Sequence, residues 1–221
     1  MPSFPDLKLK ISAASLQVKN RETQSIYAEI HADDSAEQIV AKSKLLFTKK
    51  IEQSLSLIEP ETIEECASLL LNAPKIVLSG IGTSGLVASD INSKLIRMGF
   101  NVHFNTDYHT QIVQASLLKE DDVLIVISAR GNTKEVISAM EVAKHKGAKV
   151  VALTRYGKGK VAKLADFVIP YYYNEEHSQL GMVTPQLLQM IAFDVLFFKL
   201  STLADSTNMA TAIDSIKKVQ Q

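Results

Sequence analysis

The chain has 221 residues, 46% of them hydrophobic, with 24 basic residues against 24 acidic ones. That length suits one domain of ordinary size with a buried core and room for an appendage. A formal net charge of zero excludes a global basic field drawing the chain to nucleic acid or an acidic membrane.

One cysteine, Cys66, excludes an internal disulfide and fits a reducing compartment. It falls in an apparent helix, where a buried structural thiol is the expected role. No apolar run approaches the roughly 20 residues of a membrane span. Residues 1–10 lack the apolar segment of a signal peptide. The expectation is a cytoplasmic, soluble protein.

Residues 4–17 read as a short helix and 26–31 as extended. At Asp34, with Glu37 in the first turn, a helix cap is offered. Ile39, Val40, Leu46, Phe47 and Ile51 follow at helical spacing, predicting one long helix over 35–57. Pro60 stands where a helix begins, and Glu61 to Leu71 continues it. From Lys75 the pattern alternates. Strands are predicted at 75–79, 101–105, 122–127, 149–154 and 167–170, with helices at 84–97, 108–118, 133–146 and 159–165. A strongly apolar helix follows from Thr184. Residues 203–221 are polar, a terminal helix or a disordered end.

Strands separated by helices imply a parallel sheet covered on both faces. The expected fold is therefore α/β, a three-layer sandwich. Its five-stranded sheet has the flavodoxin-like order 2-1-3-4-5, and an N-terminal helical extension precedes it. The expected divisions are an extension over 1–57, a ligand-binding domain over 58–203 and a tail over 204–221.

Two strand–loop–helix units stand out. Residues 75–99 read KIVLSGIGTSGLVASDINSKLIRMG, and residues 123–147 read VLIVISARGNTKEVISAMEVAKHKG. Aligned on Gly99 and Gly147 they repeat with a shift of 48 residues, setting Ser84 against Asn132 and Gly85 against Thr133. A turn that feeds a helix N-terminus binds anions through free N–H groups and the positive end of the helix dipole. The first loop, from Gly80 through Gly82 to Gly85, also matches the bare G-x-G-x-x-G fingerprint of dinucleotide folds. That reading wants an acid about 20 residues on to hold a ribose, and Asp107 stands slightly late for it. The second loop, Ser128-Ala-Arg-Gly-Asn-Thr133, offers two hydroxyls, a guanidinium and a flexible glycine, a set suited to phosphate. In the predicted order these two loops meet where the topology reverses, the place ligands bind. The bland alternative is two tight turns whose glycines and hydroxyls serve local geometry.

These residues resemble the sugar isomerase (SIS) domain, the phosphosugar-binding module, and more narrowly the C-terminal part of RpiR-type transcriptional regulators. Residues 4–12 are similar to the junction after that family's helix-turn-helix, and 34–42 to its linker helix. Residues 81–100 and 127–154 resemble the two sugar-phosphate loops with their helices, and 187–197 the last helix. Two departures stand out. The family's second loop runs S-x-S-G-x-T, and here Arg130 replaces the middle serine. The last helix often begins Ser-Arg, and here Pro185-Gln186 stands instead. No helix-turn-helix precedes Phe4, which is expected of a shortened chain or of a regulator without its DNA-reading head.

The resemblance implies a ligand sensor without catalysis, controlling genes of carbohydrate metabolism. Ser84, Ser128 and Thr133 would bind phosphate or sugar oxygens, with Gly82, Thr83, Gly131 and Asn132 completing the cradle. Arg130 is either a bidentate phosphate ligand or a solvated side chain pairing Glu135. His109, and Glu176 with His177 in the polar break after the last strand, are placed to touch sugar hydroxyls or remain solvated. A dimer or higher homo-oligomer is expected, with DNA contacted only through the helix-turn-helix and no membrane partner. No cofactor is expected and no metal-ligand spacing occurs, nor does a Walker A motif or a G-x-S-x-G elbow. Two other readings remain: an aldose–ketose phosphosugar isomerase using Glu176, His177 or His109, and a dinucleotide-binding protein resting on the first loop alone.

Overall fold

The computed structural model describes residues 30–173, 184–204 and 206–219. The predicted elements at 4–17 and most of 26–31 lie outside the described residues, as do Glu176 and His177. The described chain divides into two compact units, residues 30–50 and residues 51–219 without the 174–183 segment.

The first helix, α1 (Ala36–Leu55), opens on a reciprocal capping box. Gln38 N–H donates to Ser35 Oγ at 3.2 Å, and Ser35 N–H donates to Gln38 Oε1 at 2.8 Å. The cap is therefore Ser35 with Gln38, not Asp34 with Glu37. Asp34 instead accepts the His31 N–H and pairs with the Lys42 ammonium at 2.6 Å. The Lys42 bond, then the His31 N–H, hold its carboxyl below the ordinary value. Ile39, Val40 and Phe47 are exposed along α1.

In the second unit, α2 (Pro60–Asn72) starts with proline at its first turn, where no N–H is needed. Then come β1 (Ile76–Ser79), α3 (Thr83–Arg97), β2 (Val102–His103), α4 (Tyr108–Ser116), β3 (Val123–Ser128), α5 (Lys134–His145), β4 (Lys149–Arg155), α6 (Lys160–Leu164), β5 (Phe167–Tyr171), α7 (Pro185–Leu203) and α8 (Ser206–Val219). All strand pairings are parallel, in the order β2-β1-β3-β4-β5. The expected fold class holds. Strand β2 is shorter than predicted, because this edge strand pairs only at Ile76↔Val102 and Val77↔His103.

β1 and β3 are buried at every position, as strands covered on both faces must be. On one face Val77, Leu124, Val126, Val150 and Ala152 pack with Ala115 of α4, Val136 and Met140 of α5 and Val161 of α6. On the other lie α2, α3 and α7, which pack on one another and on the sheet. Cys66 of α2 is fully buried there, and loss of hydration pushes its thiol up to about 12. It is a core residue with no reactive thiolate near neutral pH.

The repeat is real at the C-terminal ends of its helices. Gly99 and Gly147 both have φ above +80°. In each, the glycine N–H donates three residues back (Gly99 to Ile96, Gly147 to Lys144) and the next N–H donates five back (Phe100 to Leu95, Ala148 to Ala143). These are two Schellman closures. At the N-terminal ends the repeat slips. The caps are Gly82 and Thr133, 51 residues apart (133 − 82) rather than 48. The second helix is therefore three residues shorter than the first, 12 against 15, and loop 2 (129–133) is longer than loop 1 (80–82).

Helix α7 revises the composition argument. At 19 residues it is long and apolar enough to cross a membrane by length and composition. Its packing is that of a core helix. Leu188, Gln189, Ala192, Phe193, Leu196 and Leu200 are buried. Asp194 receives the Lys94 ammonium of α3 at 2.5 Å, and Lys199 pairs with Glu64 of α2 at 2.7 Å. Phe193→Ala should cost about 3–5 kcal/mol in urea denaturation. Phe198→Ala, on the exposed face, should stay within about 0.5 kcal/mol.

Candidate functional site

Connections leave β1 toward β2 and β3 toward β4 in opposite directions, so the loops after β1 and β3 lie side by side at the C-terminal edge of the sheet. Four helices begin beyond the strands β1 to β4, and their first turns differ in one decisive respect.

Helix α4 is closed by its own sequence. Asp107 accepts the Thr110 N–H at 2.8 Å and the Thr110 hydroxyl at 2.9 Å. These bonds, the backbone one first, hold its carboxyl below the ordinary value. The acid that a dinucleotide site would aim at a ribose is engaged as a helix cap. Helix α6 is closed by loop 2: Lys160 N–H donates to Asn132 Oδ1 at 3.1 Å and Val161 N–H to the Gly131 carbonyl at 2.9 Å. By contrast, α3 begins at Gly82 and α5 at Thr133 with no side chain capping either. No side chain receives their leading N–H groups, although Gly85 N–H turns back to the Gly82 carbonyl at 3.0 Å, and both starts lie at the switch point.

Loop 1 is shaped by close backbone approach. A Cβ at Gly80 would lie 2.8 Å from the Ser84 carbonyl oxygen, and Gly82 has φ +59°. Neither position accepts a side chain without strain. Gln111 of α4, fully buried, anchors the loop. It accepts from the Ser79 hydroxyl at 2.8 Å and from Gly80 N–H at 3.2 Å, and it donates to the Gly80 and Asn105 carbonyls at 3.0 and 2.8 Å.

Loop 2 is organised around Ser128. Its hydroxyl accepts the Gly131 N–H at 3.2 Å and lies 3.1 Å from the Thr133 hydroxyl. Gly131 has φ +69°, and a Cβ there would meet Thr154 Oγ1 at 3.0 Å. Thr154 in turn donates to the Ser128 carbonyl at 2.7 Å.

The structure brings Ser128, Gly131, Asn132 and Thr133 into one turn, and Ser84 into the first turn of α3. Gly82 and Thr83 are exposed at the mouth of loop 1, and Arg130 is exposed on loop 2. Asn132 splits its functions, since its side-chain oxygen is taken by α6 while its backbone stays in the loop. His109 sits exposed in the first turn of α4, its ring 5.5 Å from that of Tyr108. Among the described residues no hydrogen bond joins it to either loop.

Three buried residues were missed by sequence reasoning: Gln111, Tyr171 and Gln189. Tyr171 OH donates to the Ala129 carbonyl at 3.2 Å, and Gln189 Nε2 donates to Tyr171 OH at 2.9 Å and to Ser84 Oγ at 3.4 Å. Burial pushes the Tyr171 phenol well above its ordinary value, so it stays a neutral donor. The one available signal was a glutamine at a core position of an apolar helix. Among the described residues no group of three histidine, cysteine or carboxylate side chains is placed to hold a metal.

Comparison with known proteins places this geometry in a family. A family model described as "SIS domain" matches residues 69–199. A relative from Providencia stuartii, named an uncharacterized HTH-type transcriptional regulator, is 42% identical over 202 residues, covering 91% of this chain and 71% of the relative. A solved structure of the Vibrio vulnificus NanR protein complexed with ManNAc-6P superposes with a TM-score of 0.74 at 20% identity, covering 85% of this chain and 70% of that one. The sugar isomerase domain of an RpiR transcription factor from Sphaerobacter thermophilus gives 0.67 at 21% identity, covering 78% of this chain and 96% of that one.

Gln111→Leu should strand the buried partners at Gly80 and Ser79. Each buried group left unsatisfied costs about 1–3 kcal/mol, so a loss of about 2–4 kcal/mol is expected by chemical denaturation. A loss under about 0.5 kcal/mol would show that the amide does not hold loop 1.

Proposed function

Because the chain belongs to the SIS domain family, in the form carried by HTH-type transcriptional regulators, we propose that it senses a phosphorylated sugar and passes that occupancy to a DNA-reading domain. The observation that carries this reading is the pair of uncapped helix N-termini at the switch point, α3 and α5, when the neighbours α4 and α6 are both capped. An anion fits between them because both dipoles and both sets of N–H groups favour negative charge. The hydroxyls of Ser84, Ser128 and Thr133 add short donors. Gly82, Thr83 and Asn132 contribute backbone N–H groups, and Gly131 contributes the tight turn, its own N–H being held by Ser128 Oγ. Arg130 supplies a cation at the rim, and His109 and Glu176 are assigned to the sugar end. The ManNAc-6P held by the NanR protein on the same fold supports a sugar phosphate over a dinucleotide.

The donors of this network are hydroxyls, amides and a phenol, which suits binding rather than proton transfer between carbons. A sensor needs only differential affinity between two states. The exposed apolar side chains of α1, among them Val40 and Phe47, support a homodimer in which that helix carries the signal. DNA contact falls to a helix-turn-helix domain outside this chain, with genes of carbohydrate metabolism as targets in the cytoplasm. The functional divisions assigned are 1–57 as extension and linker, 58–203 as the sensing domain and 204–221 as a tail.

A thermal-shift series with sugar phosphates tests the reading. A ligand at about 100 times its Kd should stabilise by roughly 2.7 kcal/mol, a shift of several degrees. Ser84→Ala and Ser128→Ala should each weaken binding about tenfold. A shift with nicotinamide dinucleotides and none with sugar phosphates would contradict the proposal. Turnover of ketose or aldose phosphates above about 1 s⁻¹ would make the chain an isomerase instead.

A further inference from the structure

A buried line of polar groups joins the two loops through α7. The Tyr171 hydroxyl has one proton, and it points at the Ala129 carbonyl, 3.2 Å away in loop 2. The Tyr171 oxygen must therefore accept from Gln189, 2.9 Å away, which fixes the amide nitrogen as the end facing it. The second proton on that nitrogen reaches Ser84 Oγ at 3.4 Å. A hydroxyl that accepts from an amide keeps its own proton to give elsewhere. The other end of the amide, Gln189 Oε1, is buried with no hydrogen-bond partner among the described residues. A glutamine that is fully buried with only one end satisfied is costly to keep in a core. Packing alone would favour a leucine or methionine there.

We propose that Gln189 is a positioning residue for the ligand, setting the Ser84 hydroxyl as a proton donor and tying it through Tyr171 to loop 2. This rests on the phosphosugar reading of the same site. The oxygens of a doubly ionised phosphate accept and never donate, so a serine locked as a donor selects for them. A serine free to rotate gains less, because binding must first order it. The link to Ala129 makes the two loops one cradle: displacement of loop 1 is felt at loop 2 through three hydrogen bonds rather than through solvent.

The test is a thermodynamic cycle in affinity with Gln189→Met, which keeps side-chain length and removes the donors. Wild type, Gln189→Met, Ser84→Ala and the double variant are titrated by calorimetry with ManNAc-6P and with glucose 6-phosphate. Gln189→Met should bind about tenfold more weakly than wild type, and the double variant no more weakly than Ser84→Ala alone. Wild-type affinity in Gln189→Met, or losses that multiply to about a hundredfold in the double variant, would overturn the proposal. A general packing defect gives that second outcome, so the cycle separates the two. Should Gln189→Met fail to fold, Tyr171→Phe replaces it in the same cycle with the same criterion. Should wild type bind neither probe, the phosphosugar reading itself has failed. The link is then judged without ligand, from Tyr171→Phe in wild-type and Ser84→Ala backgrounds under urea. Losses that fail to add support the connection, and strictly additive losses refute it.

Discussion

Two helices begin next to each other with their leading N–H groups uncapped, and the rest of the site depends on that arrangement. It follows from the sheet. The order β2-β1-β3-β4-β5 turns the chain one way after β1 and the other way after β3. The two loops are thereby left adjacent with no strand between them. An open helix end carries partial positive charge in its first turn, and two such ends together attract an anion that neither would hold alone. Neighbouring helices could have diluted the effect. The neighbours α4 and α6 do not, because Asp107 closes α4 and loop 2 closes α6; α7, like α3 and α5, begins with no side-chain cap.

A loop that donates to a ligand must be held by something other than the ligand. Each loop here is fixed from below by buried polar groups. Gln111 grips the backbone of loop 1 on both the donor and the acceptor side of Gly80. Thr154 and Tyr171 grip the carbonyls of Ser128 and Ala129 in loop 2. Gln189 spans the gap. These side chains satisfy backbone groups that the tight turns cannot pair with each other, and they leave the exposed N–H groups free to face outward. Buried networks of this kind specify one conformation at the expense of raw core stability.

The sheet order, the layers and most element positions could be read from apolar runs punctuated by glycine, because parallel strands covered on both faces leave an unmistakable pattern. The two loops were legible for the same reason. Gly99 and Gly147 close their helices in matching Schellman motifs, which is why alignment on them exposed the repeat. That alignment then misled at the other end, pairing Ser84 with Asn132. Schellman geometry constrains where a helix stops and says nothing about where it began. Gln111 was illegible because a glutamine in an amphipathic helix looks solvated, and Gln189, out of place in an apolar helix, did not reveal its partner; only tertiary contact shows that each faces a loop distant in sequence. The length of α7 was underestimated as an apolar run because Asp194 and Lys199 interrupt it, and both make ion pairs that sequence spacing does not predict.

The central claim is that loops 1 and 2 bind one anion as a single cradle. Amide chemical shifts recorded during titration with a sugar 6-phosphate test it most directly. The account predicts that the N–H signals of residues 83–85 and of residues 131–135 move together, with one shared Kd, while that of the capped Thr110 stays still. Shifts confined to one loop, or two loops titrating with different Kd values, would contradict it.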